Sequence, residues 1–309
     1  MVFSVLSLEL TMNLSTKQFS KFKKLNAIKT AGIKIDCKDN RRKVILDITP
    51  AELFKCGGAD KLWKPKKDNI EELRELLKKF IAETFGSSFK LNDFKITAIT
   101  FAVNIEAGEN VAAYIKVLRK IGKAKGFTPK RAKDGRDEKA SFDLEGNSNG
   151  ITFSVCDCHA ETGDKSAKGI LRVEVKLAKP NAIGRYTPEQ STSKQITELA
   201  GCGKDILLDT FVRIVPFGDY HKLKEAEKLI ETNIRKKVHK AKMLRLLRLI
   251  PEKKSLFEAQ KEMNDRNMGK LMLRFAEIGL NPITISKRHD TKFLQNLHDF
   301  VIGQIAVNI

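Results

Sequence analysis

The sequence predicts an α+β fold in which an antiparallel sheet carries helices on one face and is followed by a mostly helical C-terminal region. In the first ~180 residues, strand-like runs alternate with two clear amphipathic helices and with hairpin signals. After Pro180 the chain becomes basic and helix-forming. We therefore expect an α+β domain at 1–180 and a helical basic domain at 181–309. With 309 residues, 41% of them hydrophobic, the chain can bury a core.

Short strands and tight turns dominate the N-terminal part. Residues 2–10 alternate weakly and predict an opening strand. Ala31–Asp36 and Lys43–Ile48 predict a β-hairpin, because the stretch 38–41 between them has turn chemistry. Thr49 followed by Pro50 is typical of a helix N-cap and first turn.

Two amphipathic helices and several strands follow. Apolar residues at helical spacing predict a helix over Asp68–Phe85, capped by Asp68 or Asn69 and ended by Gly86. A second helix is expected over Glu109–Lys125, with Gly126 as its end. The remaining runs predict strands at Phe94–Ile105, Ala140–Asp143, Ile151–Cys156 and Ile170–Leu177.

The segment Ile151–Leu177 contains the side chains most suited to chemistry. Its first strand ends in a reactive cluster, which comprises Cys156, Asp157, Cys158, His159 and Glu161. Its second strand alternates, so that Arg172, Glu174 and Lys176 share one face of the sheet. That charged stripe suits a shallow polar site. It equally suits cross-strand ion pairs that contribute under about 1 kcal/mol each.

The C-terminal part is predicted to be a linker followed by helices. Lys179–Ser193 is rich in Pro, Gly, Thr and Ser and favours a linker. Leu223–Leu249 predicts one long basic helix that Pro251 breaks. Leu256–Ile278 predicts one or two helices with Gly269 as a break, and Phe293–Ile305 predicts the last helix. The cations expected to contact nucleic-acid phosphates are Arg235, Lys236, Lys237, Lys240, Lys242, Arg245 and Arg248.

The charge balance limits the partners and the compartment. A formal net charge of +20 favours polyanions, nucleic acid first. No run approaches the roughly 18 apolar residues of a membrane span, and the start lacks a basic leader. Five cysteines without a framework spacing favour a reducing compartment. We therefore expect a cytoplasmic protein that does not act at a membrane.

Three weaker patterns have ordinary alternatives. Cys156, Cys158 and His159, with a distant Cys202, could hold zinc or supply a nucleophile, whereas buried inert thiols are the default. Gly201–Lys204 resembles a phosphate loop only faintly, and a helix end is the simpler interpretation. A basic run at Lys120–Lys133 fits either a phosphate contact or a solvated loop.

The order of these pieces resembles the replication initiation factor family of the Rep trans type, which plasmids, phages and integrative elements encode. The resemblance covers roughly Lys95–Leu177. It rests on three short motifs, ITAITFAVNI from Ile96, ITFSVCDC from Ile151 and ILRVEVKL from Ile170. Glu161, Arg172 and Glu174 match the family pattern. Cys156 and Cys158 stand where the family tends to have Tyr and Lys, and Ala98 and Thr100 where it tends to have Arg and Asp.

The resemblance implies rolling-circle initiation of DNA replication. Members bind an origin duplex and nick one strand with a tyrosine, while carboxylates hold a divalent metal. Carried over to this chain, Glu161 and Glu174 would hold Mg²⁺ or Mn²⁺ if nicking is retained, and Arg172 would contact DNA or pair with Glu174. Of three tyrosines, Tyr186 beside Arg185 is the best candidate nucleophile, ahead of Tyr114 and Tyr220.

These observations lead to one hypothesis and two alternatives. The leading hypothesis is a DNA-binding, replication-initiator-like protein of a mobile genetic element whose nicking is lost or altered. The first alternative is an active metal-dependent nicking and strand-transfer enzyme. The second is a basic RNA-binding protein. A homodimer is compatible with all three.

Overall fold

The computed structural model describes residues 3–130 and 140–306. Within these residues lies a nine-stranded antiparallel sheet, which confirms the predicted fold class. Its strands are β1 (Phe3–Asn13), β2 (Lys29–Thr30), β3 (Ile33–Lys38), β4 (Lys43–Ile48), β5 (Lys95–Glu106), β6 (Phe127–Pro129), β7 (Ser141–Gly146), β8 (Ile151–Asp157) and β9 (Ile170–Leu177). Their order is β2-β3-β4-β1-β5-β9-β8-β7-β6. Two further short strands, β10 (Tyr220–His221) and β11 (Phe293–Leu294), pair with each other.

Helices dominate the part of the chain beyond β9, as predicted. The α-helices in order are α1 (Thr16–Phe22), α2 (Pro50–Leu53), α3 (Lys67–Phe85), α4 (Val111–Arg119), α5 (Cys158–Thr162), α6 (Pro180–Ile183), α7 (Thr192–Ile214), α8 (Leu223–Asn233), α9 (Lys237–Lys253), α10 (Leu256–Met263), α11 (Met268–Glu277) and α12 (Leu297–Ala306). No helix in the described residues is both long and apolar enough to cross a membrane.

The chain groups into two compact units, each assembled from separate segments. The first unit comprises the chain as far as Asn104, Ser148–Thr152 and Glu174–Leu207. The second comprises the described parts of Ile105–Asn147, then Phe153–Val173 and the described residues from Leu208 onward. Three of the five boundaries fall inside β5, β8 and β9, one falls between β7 and β8, and one falls inside α7. The expected division at residue 180 remains a prediction.

The N-terminal hairpin forms where turn chemistry predicts it. Strands β3 and β4 pair antiparallel with Ile35 opposite Leu46, and both side chains are fully buried. Arg42 adopts a left-handed conformation at the turn, with φ 49°. The opening strand β1 is longer than expected, since it pairs with both β4 and β5 as far as Asn13 and Thr11, respectively.

Helix α3 buries the predicted apolar face in the first unit. The buried residues are Ile70, Leu73, Leu77, Ile81 and Phe85, and Gly86 ends the helix with φ 106°. The predicted cap is wrong, because Lys66 occupies the N-cap position. Asn69 instead donates its side-chain amide to the carbonyl of Lys64 at 2.7 Å, which holds the preceding loop against the helix.

Helix α4 is shorter than the predicted Glu109–Lys125. Its last carbonyls, those of Val117, Leu118 and Arg119, accept hydrogen bonds from the backbone N–H groups of Lys120, Ile121 and Gly122 at 3.0, 2.9 and 3.2 Å, so local partners satisfy them. Just beyond the helix, the carbonyls of Lys120 and Ile121 accept from the backbone N–H groups of Leu256 and Phe257 at 2.6 and 3.3 Å. Gly122, at φ 72°, then turns the chain toward β6. The basic run at Lys120–Lys133 reaches beyond Lys130, and its last three residues lie outside the described part of the chain.

The segment predicted as a linker, Lys179–Ser193, is packed instead. It forms α6, and Ala182, Ile183 and Thr187 are each at most 2% exposed. Pro180 marks the first turn of this short helix rather than a flexible connection, in keeping with the preference of Pro for that position.

The prediction of one long basic helix over Leu223–Leu249 is wrong. The chain forms two helices, α8 and α9, because Ile234 and Lys236 are extended. This break allows α8 and α9 to pack against each other and bury Ile230 and Met243. Pro251 does not end the helix but occupies the last turn of α9.

The break between the two helices within Leu256–Ile278 does not lie at the predicted residue. The break lies at Asn264, which is left-handed with φ 46°. Gly269, the predicted break, lies in the first turn of α11. Of the predicted last helix, Phe293 and Leu294 form β11, and α12 begins only at Leu297.

Candidate functional site

The end of β8 positions the side chains of the candidate site. Asp157 ends the strand and caps α5, since its carboxylate accepts hydrogen bonds from the backbone N–H groups of His159 and Ala160 at 3.0 and 3.2 Å. An Asp at this position is a favoured N-cap. The helical turn that it starts brings Glu161 back beside Cys156, the last inward residue of the strand. Strand β9, which carries Arg172 and Glu174, is the neighbour of β8 in the sheet.

Three potential metal ligands meet at this point. The Sγ of Cys156 and the carboxylates of Glu161 and Glu174 lie within 4.8 Å of one another. Across residues 3–130 and 140–306, no other set of three His, Cys, Asp or Glu side chains comes this close together. Cys156 and Glu174 are buried and Glu161 is exposed, so the cluster has a solvent-accessible side.

The thiol of Cys156 is hydrogen-bonded within the cluster. Its Sγ donates to Oε2 of Glu161 at 3.0 Å. A thiol that donates a hydrogen bond is protonated, and a metal bound through sulfur would have to displace that proton. Binding of a metal through this sulfur would therefore release that proton.

The donor set fits a divalent cation in two ways. The carboxylates of Glu161 and Glu174 are oxygen ligands, and Mg²⁺ is commonly bound by one or two carboxylates with water and phosphate oxygens completing its shell. If Cys156 also binds as a thiolate, a softer ion such as Zn²⁺ is favoured. The residues present thus fit the metal that the resemblance implies, and the sulfur adds a preference of its own.

Two of the three residues in the predicted charged stripe on β9 are buried. Arg172 and Glu174 are only 6% and 9% exposed, whereas Lys176 faces solvent. Both buried side chains interact with other groups in the structure. A buried charge is costly unless it is paired, so these two residues are not the surface ion pairs that the alternation alone suggests.

The zinc arrangement considered from the sequence does not form. Cys158 begins α5 rather than extending the alternation of β8, and it is fully buried. Nδ1 of His159 lies 2.8 Å from the carbonyl oxygen of Asp164. Cys202 donates its thiol to the carbonyl of Leu199 within α7. Only Cys156 of these four residues joins the three-ligand cluster.

Sequence reasoning missed Cys156 as a partner of Glu161. The signal was present in Asp157, because an N-cap there converts the strand into a helix and returns Glu161 toward the strand end. Ala98 and Thr100, at the other positions that depart from the family pattern, are buried on β5. Thr100 accepts a hydrogen bond from Ser7 at 2.9 Å, and neither residue adds a carboxylate.

The three tyrosines differ in access. Tyr220 is fully buried, and its hydroxyl has no hydrogen-bond partner among the described residues. Tyr114 is 3% exposed and donates its hydroxyl to the carbonyl of Gln295 at 3.0 Å, while burial raises its pKa to about 12. Tyr186 is half-buried and follows α6. It is the most accessible of the three phenols.

The basic residues of the C-terminal region lie on and before α9. Arg235, Lys236, Lys237 and Arg245 are exposed. Lys242 forms an ion pair with Asp265 at 2.6 Å, and Arg248 forms one with Glu227 at the same distance. Lys240 donates to the carbonyl of Glu231 at 2.8 Å. Four of the seven predicted cations are therefore fully presented to solvent.

The imidazole of His239 lies near several positively charged side chains around α9. Partial burial lowers the pKa of this imidazole, and the positive charges of Arg274, Lys236 and Lys242 lower it further. Because α9 and α11 pack together, these cations of separate helices lie close to one another. The basic surface of the second unit thus extends from α9 onto α11.

The glycine-rich sequence Gly201–Lys204 is neither a phosphate loop nor a helix end. It lies in the middle of α7. A Cβ at Gly203 would lie 2.5 Å from the ring of Phe101 and 2.6 Å from that of Phe3. Gly203 therefore permits the close approach of α7 to buried aromatic rings of the first unit.

The chain is similar in structure to a known protein, although no sequence comparison matches it. No protein-family model and no curated protein matches the chain. A solved structure described as that of a rolling-circle replication initiator protein from Geobacillus stearothermophilus aligns with 93% of this chain and 99% of its own, at 12% sequence identity. The TM-score of this alignment is 0.30.

Proposed function

We propose that this chain is a DNA-binding protein of the replication-initiator type, encoded by a mobile genetic element. The observation that carries the proposal is the exposed basic surface of Arg235, Lys236, Lys237 and Arg245 on a chain with a net charge of +20. Guanidinium and ammonium groups presented together at the start of a helix and just before it can neutralise phosphates of a duplex and release its counterions. The motifs at Lys95–Leu177 make an origin duplex the expected target.

Fluorescence anisotropy with a labelled duplex of about 25 base pairs tests DNA binding. The affinity of the unaltered chain should fall steeply with salt, by about 0.9 logarithmic units of affinity per logarithmic unit of salt for each neutralised phosphate. The triple variant Arg235→Gln, Lys236→Gln, Lys237→Gln should bind more weakly and with a shallower salt slope. The matched control is Lys17→Gln, Lys21→Gln, Lys24→Gln, which removes three exposed charges around α1.

Two results would contradict DNA binding through this surface. In the first, the two triple variants lose the same affinity, so that only net charge matters. In the second, a structured RNA hairpin binds more tightly than the duplex at matched salt, which would favour the RNA-binding alternative. Weak binding without salt dependence would overturn every nucleic-acid proposal.

A second candidate function, metal-dependent DNA nicking, is favoured by the cluster of Cys156, Glu161 and Glu174. A divalent cation held there would neutralise charge on a transferring phosphate. In this proposal the hydroxyl oxygen of Tyr186 attacks the phosphorus, a phosphotyrosyl bond forms, and the P–O bond to the departing deoxyribose breaks. The departing oxygen leaves as a hydroxyl with a proton from solvent, and the phenol proton passes to solvent.

A supercoiled plasmid that carries the DNA flanking the gene tests nicking, in buffer with Mn²⁺ or Mg²⁺. An active enzyme yields relaxed circles with protein covalently attached to one DNA end. Tyr186→Phe should abolish this product, and Tyr220→Phe should leave it unchanged because Tyr220 is fully buried. Binding without relaxation would show that the chain binds DNA but has lost nicking. Relaxation that survives Tyr186→Phe would remove Tyr186 from the proposal.

A further inference from the structure

A cavity of about 440 Å³ in the first unit is lined by cations and by no carboxylate. Its charged lining consists of Arg74 and Lys78 on α3, Lys90 on the following loop, and Lys194 in the first turn of α7. The volume lies within the range of small-molecule sites. Four positive groups around one concavity repel one another, and an anion bound between them would relieve that repulsion.

The neutral wall of the cavity is held by side-chain hydrogen bonds. Oδ1 of Asn92 accepts from the hydroxyl of Ser191 at 3.1 Å and from the backbone N–H of Ser193 at 3.2 Å. Nε of Arg74 donates to the hydroxyl oxygen of Ser193 at 2.8 Å, which fixes the guanidinium plane beside the cavity. The cation that best suits a bidentate contact is therefore already oriented.

Nearby carboxylates form ion pairs of different lengths with three of these cations. Glu75 pairs with Lys78 at 2.6 Å, but Glu71 and Glu189 stand at 3.9 and 3.5 Å from Arg74 and Lys194. These carboxylates lie outside the lining, so an anion in the cavity would face the cations and no carboxylate. Arg74, with 24% of its side chain exposed, is the least solvated of the paired cations and the one whose charge is least screened by water.

We propose that this cavity binds the phosphate of a nucleotide, with Arg74, Lys78, Lys90 and Lys194 as its cationic contacts and Ser191 as a hydroxyl donor. A phosphate carries hydrogen-bond acceptor oxygens on every side. It therefore suits a cavity whose charged groups are all hydrogen-bond donors. Phe89 and Leu91 also line the cavity and provide apolar surface for a sugar or base. The phosphate can belong to a free nucleotide or to a nucleic-acid strand, and both present the same group.

Isothermal titration calorimetry with ATP, and anisotropy with a labelled 12-nucleotide single strand carrying a 5′-phosphate, test the cavity and distinguish the two sources. Lys78→Gln should weaken binding of the true ligand about tenfold, because it removes one charge-assisted contact. Lys79→Gln is a matched control on the same helix, since Lys79 pairs with Glu83 and does not line the cavity. It should change the affinity less than twofold.

If Lys78→Gln weakens the binding of ATP but not of the single strand, the cavity binds free nucleotides. If it weakens the binding of the single strand but not of ATP, the cavity binds a strand. Equal effects of Lys78→Gln and Lys79→Gln, or no binding of either probe, would overturn the proposal. Because Lys78 and Lys79 each form an ion pair on α3, thermal unfolding of both variants must show that the protein is intact. The cavity proposal does not depend on nicking, so the plasmid assay can fail while the cavity binds ATP.

Discussion

At the scale of single residues, Cys156 is the side chain on which the chemistry of the cluster depends. It stands where the family pattern tends to have a tyrosine, and it donates its thiol to Glu161 at 3.0 Å. A thiolate prefers softer ions than two carboxylates alone do. This one residue therefore sets which metal the cluster would favour.

We expect Cys156→Ser to weaken Zn²⁺ binding at least tenfold and to change Mg²⁺ or Mn²⁺ binding little, because an alcohol is a poor replacement for a soft thiolate ligand. Glu161→Gln should weaken all three ions. Competition with a fluorescent chelator measures these affinities, and Cys202→Ser serves as the control for adventitious thiol binding. An unchanged Zn²⁺ affinity in Cys156→Ser would exclude the sulfur as a ligand.

His298 should make stability depend on pH in the range below about 6.5. Burial lowers the pKa of this imidazole, whose neutral form donates from Nε2 to the carbonyl of Val215 at 2.8 Å. As the pH falls, the unfolded chain takes up the proton and the folded chain does not, so stability is lost. The slope is at most about 1.4 kcal/mol per pH unit for one proton.

Urea unfolding at pH 7.5, 6.5 and 5.5 measures this dependence. In His298→Gln, whose amide can still donate to Val215, the loss of stability toward pH 5.5 should become shallower. The parallel variant His289→Gln removes a less buried imidazole and should keep the full slope. If both variants retain the slope of the unaltered chain, His298 is not its source.

At the scale of elements, helix interiors follow from local patterns more closely than helix ends do. The last carbonyls of α4 accept from the N–H groups of Lys120, Ile121 and Gly122, short of the predicted end, and α8 and α9 separate at extended Ile234 and Lys236. The apolar periodicity of Ile70–Phe85 predicts α3 correctly because a buried face is a local pattern. Apolar spacing continues across Ile234 and therefore gives no sign of the break between α8 and α9.

Helix α7 provides the clearest test of close packing within the first unit. Gly203→Ala should destabilise the fold by about 2 kcal/mol, because the added Cβ would lie 2.5 Å from the buried ring of Phe101. Gly201→Ala, on the same helix with no atom within 4 Å of its Cβ, should stabilise the fold by up to about 1 kcal/mol. Chemical denaturation distinguishes the two, and a loss of stability in both would show that the effect is not steric.

At the scale of the whole molecule, each compact unit is built from segments that are far apart in sequence. In the first unit, Gly203 of the segment Glu174–Leu207 packs closely against the rings of Phe3 and Phe101. In the second, Tyr114 donates to Gln295, and Lys120 donates its ammonium to the carbonyl of Thr284. The change of composition near Pro180 therefore does not coincide with the edge of either unit.

We expect that fragments 1–180 and 181–309, produced separately, will not fold cooperatively. The first fragment lacks α7. The second lacks α4, α5 and the strands of the second unit that precede residue 174. Circular dichroism and urea titration of each fragment, beside the full chain, test this expectation. Cooperative unfolding of either fragment would support a domain division at residue 180.

Local sequence signals were sufficient for the fold class, for the N-terminal hairpin and for most strands, because alternation, turn residues and apolar periodicity act over a few residues. The assignment of Glu161 and Glu174 as metal ligands came from the resemblance and stays a prediction. The contact of Cys156 with Glu161 had a local signal in the N-cap Asp157, whereas tertiary packing was required to bury Arg172 and to place aromatic rings against Gly203. These features depend on neighbours in space, and burial or ligand distance between separate segments is not encoded in any short window of the chain.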